Sequence, residues 1–154
     1  MKLSKKGEYA LRALLALTFS VKFKSKPSLH LKDISQSEEI PIKFLEHIMA
    51  ALKKGSLVRS QKGKGGGYVL SRAPKEIVLG EVIRLIDGPL SPIGSAEEIK
   101  EIIRKGKKES GIYSVLLDVR NAISQVLDKM TLEDLYKRTV DLTRVKHQSE
   151  MYYI

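Results

Sequence analysis

The stretch that most narrows the fold is IPIKFLEHIMAALKKGSLVRSQKGKGGGYVLSR, residues 40–72. Phe44, Leu45, Ile48, Met49 and Leu52 recur at three- and four-residue spacing, which marks one face of an α-helix over 41–54. Lys43, Glu46, His47, Ala50 and Lys53 fall on the opposite face. Pro41 suits the first helical position and Gly55 the stop. SLVRSQ (56–61) and YVLSR (68–72) are short alternating segments joined by KGKGGG (62–67), the pattern of a β-hairpin. A helix that runs directly into a basic, glycine-rich hairpin demands partners on its apolar face.

Those partners precede and follow it. Tyr9, Leu11, Ala13, Leu14, Leu15 and Leu17 predict a helix over 4–21 with Ser4 as N-cap. After the polar loop SVKFKSKPS (20–28), LKDISQSEE (31–39) is a short helix anchored by Leu31 and Ile34. LGEVIRLIDG (79–88) is another, closed by Gly88 and Pro89. The order helix, helix, helix, hairpin, helix is that of a winged helix-turn-helix, so the expected class is mainly α with a small β-hairpin wing. The glycines have blander readings. GKGGGY carries Tyr68 where a dinucleotide fingerprint has glycine, and no Lys-Ser/Thr pair follows as in a Walker loop. A plain hairpin turn with no partner stays open.

Charge separates the chain into halves. Residues 1–75 hold 16 Lys/Arg against 5 Asp/Glu, and residues 76–154 hold 12 against 13, which together give the net +10. Excess positive charge confined to the winged half suggests a polyanion partner there. The exposed face of helix 41–54 can enter a major groove, while Lys62 and Lys64 meet the negative potential of backbone or minor groove.

The second half reads differently. GPLSPIGS (88–95) is a linker, and AEEIKEIIRKGKKESG (96–111) a short helix with a charged loop. Residues 111–130 form a long helix in which Val115, Val119, Ala122, Val126 and Met130 approximate a heptad seam, with Leu116, Ile123 and Leu127 beside it. Thr131 and Asp134 resemble a helix start, opening TLEDLYKRT. The expected division is a DNA-binding unit at 1–88, a linker or effector region at 89–110, and a dimerisation helix with tail at 111–154. The tail closes on Met151, Tyr152, Tyr153 and Ile154, which either pack on their own dimer or dock a partner.

Several classes are set aside. There is no cysteine, which excludes disulfides, thiolate metal sites and ordinary iron–sulfur ligation. No apolar run approaches the roughly 18 residues a membrane span needs. Glu8 and Arg12 interrupt the apolar start, which argues against a signal peptide and for a cytoplasmic protein. His30, His47 and His147 are scattered, so no catalytic set and no metal site emerges.

MKLSKKGEYALRALLAL, LKDIS, the 40–72 stretch with its continuation to GP at 88–89, and TLEDL together resemble the IscR/NsrR/CymR (Rrf-type) family of winged-helix transcriptional regulators. The resemblance implies a homodimer on a palindromic operator of double-stranded DNA. By position it places Pro41, Lys43, Phe44, Glu46 and His47 toward bases, and Lys43 and Glu46 have the chemistry for guanine and cytosine. It places Lys5, Lys6, Tyr9, Arg12, Lys53, Arg59, Lys62, Lys64, Gly65 and Gly66 along phosphates and in the wing, with Lys62 standing where the family carries arginine. The iron–sulfur members have three cysteines in the segment that here reads GPLSPIGSAEEIKEIIRKGKKESGIYS, and Glu8 occupies a place some use for an acidic ligand. Without thiolates this chain resembles the cysteine-free branch, that of CymR-type cysteine-metabolism repressors. That branch implies cysteine synthase as a partner, with the Ile154 carboxylate as a substrate mimic and no cofactor in the regulator. Two other readings remain: the same fold sensing a small metabolite near residues 88–113, and a non-specific nucleic-acid-binding protein.

Overall fold

The computed structural model describes residues 2–23, 27–63 and 66–152, with backbone only at Glu150 and Tyr152. Its helices are α1 (Lys5–Phe23), α2 (Leu31–Glu38), α3 (Ile42–Lys54), α4 (Leu79–Asp87), α5 (Ala96–Arg104), α6 (Ser110–Leu127) and α7 (Leu132–Tyr152). Between α3 and α4 lie strands β1 (Val58–Gln61) and β2 (Gly67–Leu70) and a 3-10 turn at Pro74–Glu76.

Helix α1 is the axis of the fold. Ser4 begins it, accepting from the Gly7 N–H at 2.9 Å, while the Ser4 N–H donates to the Asp87 carboxylate at 3.0 Å. The end of α4 thus anchors the start of α1. Ala10, Ala13, Leu14 and Leu17 are fully buried and meet Ile34 of α2, Leu45, Ile48, Met49 and Leu52 of α3, and Val82 of α4. Burying one such side chain is worth about 1.5–3 kcal/mol, so this cluster dominates the folding free energy.

The hairpin is antiparallel, pairing Val58 with Leu70 and Gln61 with Gly67. Strand β2 is paired along its other edge as well. Leu29 and Tyr68 exchange backbone hydrogen bonds of 3.0 and 2.8 Å, so the approach to α2 acts as a third, one-residue strand. Gly67 makes this possible: its φ is +125°, and any side chain there would collide with the Leu29 carbonyl.

The core does not stop at α4. Leu132, at the start of α7, is fully buried in the same cluster. Leu79 N–H donates to the Met130 carbonyl at 2.8 Å and Leu132 N–H to that of Ile77 at 2.9 Å. Tyr136 then packs edge-on against Phe19, with ring centres 4.9 Å apart, and Lys22 pairs with Glu133. The sequence predicts a helix only over TLEDLYKRT, yet α7 continues to Tyr152. Residues 141–149 are all exposed, so that half has no core-facing side to impose a pattern on the sequence. The Thr131–Asp134 start does form, with the Asp134 N–H 3.1 Å from the threonine hydroxyl.

One ion pair joins α4 to the end of α6. Arg84 donates to both oxygens of Asp128, at 2.7 Å each. The guanidinium hydrogen bonds hold the Asp128 carboxyl down to about 2 from its ordinary 3.8; partial burial opposes this, and Ser124 adds a further hydrogen bond. Because the folded-state value lies below the unfolded one, the contribution is complete above about pH 4 and is lost as pH falls toward 2. Asp128→Asn is expected to flatten this part of the acid limb of stability between pH 4 and 2, measured by urea denaturation at each pH, and to leave other carboxylates' contributions in place.

Candidate nucleic-acid interface

The turn between α2 and α3 sets the geometry of the site. Glu39 closes α2 in the left-handed region, at φ 54° and ψ 43°. Ile40 follows, 1 % exposed, with its N–H on the Ser35 carbonyl at 3.1 Å and its own carbonyl accepting from the Ser35 hydroxyl at 2.6 Å. Pro41 is the N-cap residue, one place earlier than the sequence suggests, with φ −54°. Two helices joined this tightly put the polar face of α3 outward once Leu45, Ile48, Met49 and Leu52 are buried.

On that outward face Lys43, Glu46, His47, Ala50 and Lys53 are all exposed and follow one another along the helix. The first turn of α3 carries no acidic residue. Phe44 stands at the edge of the face, 36 % exposed, with its ring edge-on to Tyr9 at 5.6 Å. Tyr9 is in turn covered by Lys5 at 5.2 Å and Arg12 at 5.5 Å from its ring centre. A continuous strip of α3 face, aromatic pair and α1 cations results.

The cations of that strip are not equivalent. Arg12 pairs with Glu38 at 3.5 Å and donates to the Glu38 carbonyl, so it closes the end of α2 onto α1. Lys5 pairs with Glu8 at 3.3 Å, and Glu8 lies 4.0 Å from Arg12. Glu8 therefore serves as a counter-charge between two bases. Lys6 is half-buried. In the hairpin, Arg59 and Lys62 are exposed, whereas Gly66 is buried, its N–H on the Gly63 carbonyl at 2.8 Å. Lys64 and Gly65 lie outside the described residues, as do Tyr153 and Ile154. Met151 is 77 % exposed near the end of α7, and Tyr152 is its last residue.

A second surface lies on α6, which buries no residue completely. Ile112, Val115, Val119, Ala122 and Val126 alternate at spacings of three and four and are all exposed. Ile112 is absent from the stripe read in the sequence; counting one step back from Val115 finds it. Ile123 is half-buried, and Leu127 and Met130, grouped with the seam in the sequence, pack against the core of the winged unit. Met130 lies beyond the end of α6, which stops at Leu127 rather than at 130, and the backbone pairing of its carbonyl with the Leu79 N–H turns it inward.

A family model described as "Rrf2: Iron-dependent Transcriptional regulator" matches residues 3–138. The chain belongs to the Rrf2 family of transcriptional regulators. Relatives in this Rrf2 family include the HTH-type transcriptional regulator CymR of Bacillus subtilis, 34% identical over the whole of both chains. Another is IscR of Klebsiella pneumoniae, 29% identical over 97% of this chain and 90% of that one. Among solved structures, that of CymR, described as the global cysteine regulator of B. subtilis, superposes with a TM-score of 0.73 at 32% identity, covering 90% of this chain and 98% of that one. IscR of T. potens gives 0.65 at 32% identity, covering 90% and 88%. The Rrf2 winged fold thus carries DNA binding and transcriptional regulation to this chain. The iron in the family's description finds no thiolate here, because the sequence has no cysteine. Among the described residues no three His, Asp or Glu side chains converge as a metal site. No helix among them is long and apolar enough to cross a membrane.

Proposed function

We propose that this chain acts in the cytoplasm as a homodimeric repressor that reads a palindromic operator, in which α3 of each subunit enters a major groove. The observation that carries this reading is the coexistence of two exposed surfaces on one chain: the polar face of α3 and the apolar heptad stripe of α6. A two-fold dimer through α6 would present two recognition helices to successive major-groove faces. Residues 1–88 then form the DNA-binding unit, 89–110 a linker and effector region, and 111–154 the dimerisation helix and tail.

Within this reading Lys43 and Glu46 specify bases, Phe44 and Pro41 shape the entry of α3, and His47 lies beside them. Lys5, Lys6, Lys53, Arg59, Lys62 and Lys64 hold backbone, while Tyr9 keeps α1 against α3 and Arg12 keeps it against α2. Lys43→Ala or Glu46→Ala is expected to relax preference at one position per half-site by about 1–3 kcal/mol. Lys62→Ala or Lys5→Ala should weaken all sequences alike and lower the salt slope by about one. Competition titrations with specific and random duplexes separate the two patterns; equal losses in both sets contradict the roles. Val119→Asp puts a charge in the α6 stripe and is expected to yield a monomer by sedimentation, with operator affinity falling and half-site contacts retained.

The genes controlled are proposed to be those of cysteine and sulfur metabolism. The support is the full-length likeness to CymR, whose solved structure carries the description of a global cysteine regulator. The resemblance to that branch extends the proposal to cysteine synthase, gripping Met151, Tyr152, Tyr153 and Ile154 through the terminal carboxylate. Titrating this protein, with and without Ile154, into the enzyme while reading its pyridoxal phosphate fluorescence tests it. Binding that disappears with Ile154 is expected; no binding by either form ends the docking role of the tail. A cavity of about 310 Å³ bounded by Arg84, Leu90, Ser95, Glu97 and Arg120 favours a second reading, in which a small metabolite acts in the linker region.

A further inference from the structure

The direction in which α6 leaves the winged unit decides where the second recognition helix of a dimer stands. Few interactions set that direction. The backbone pairing of 77–79 with 130–132 fixes where α6 ends, and Leu127 and Met130 rest on the core. Its orientation at that point is held by the fork between Arg84 and Asp128, with Arg84 also 3.4 Å from the Ser124 hydroxyl, itself bonded to Asp128.

The surroundings are built for this fork. Gly80 lies one turn before Arg84 on α4, and a Cβ there would overlap the Asp128 carboxylate. On the other flank of α4, Leu85 fills the space that a side chain at Gly55 would take, at the C-terminal end of α3. The recognition helix is thereby keyed to α4, and α4 to α6. Both forked side chains are about one-third exposed. Solvent screening limits what an ion pair this accessible adds to stability, but two parallel hydrogen bonds between planar groups fix relative orientation.

We propose that the Arg84–Asp128 fork is a positioning joint that sets the angle between α3 and α6, and with it the half-site spacing the dimer accepts. The inference rests on the dimeric operator reading above. Its physical basis is that one base pair more or less turns the second half-site by about 34° and moves it about 3.4 Å. A stiff joint refuses that change, whereas a loosened one follows it.

The test uses the full-length protein and the operator it selects from a random duplex pool. Operators with one base pair inserted or removed at the centre are compared with the original and with a single half-site. The wild type is expected to lose roughly tenfold or more in affinity on either change, in the range of a mismatched site. Asp128→Asn and Gly80→Ala are expected to keep wild-type affinity for the single half-site yet lose less than about threefold on the altered operators. Arg84→Lys keeps the charge and one arm of the fork, and should fall between; it carries the same readout if the other variants do not fold. Variants as strict about spacing as the wild type overturn the joint and leave the dimer reading intact. A selected pool without a palindrome, or a wild type indifferent to spacing, overturns the dimer reading and the joint together.

Discussion

Burial of one side of α3 against α1 is the constraint on which everything else depends. Leu45, Ile48, Met49 and Leu52 have no exposure, so the helix cannot roll by even one residue without exposing them. The polar residues between them are turned to solvent as a set. Because α1 also receives α2, α4 and α7, this one helix holds the polar face of α3, the wing support and the root of α6 in a single frame. Small residues at Ala10 and Ala13 let those neighbours close in on it.

Charge completes what packing begins. The α1 cations are gathered at the edge of the α3 face by Tyr9 and Phe44, and tempered by Glu8 and Glu38. Arg12 illustrates the difference between being basic and being available. Its guanidinium closes the end of α2, so its first contribution is to the shape of the helix-turn-helix. Arg59 and Lys62 stand exposed on the hairpin. A polyanion therefore meets a surface in which some charges build the frame and others remain to contact it.

The winged unit was legible because its periodicity is strong and punctuated. Pro41, Gly55 and the KGKGGG turn mark boundaries that the structure moves by only a residue or two. The α6 stripe was legible in part. Counting from Val115 located most of it, but sequence spacing alone could not tell that Met130 faces inward, since that depends on α7 folding back through Leu132. The second half of α7 was not legible, because a helix with no buried side writes no period into its sequence. Nor was the Arg84–Asp128 fork: its partners are far apart in the chain, and its only local trace is the glycine at position 80, which is unremarkable in a linear reading.

The return of α7 has a consequence for how the protein is made. A core otherwise closed by Val82 waits for Leu132 and Tyr136, which follow α6 in the chain. On the ribosome, the winged half emerges first and stays open along the flank of α1 until those residues follow. A truncated product lacking α7 would expose the apolar flank of α1, a mark by which proteolysis can tell unfinished copies from finished ones.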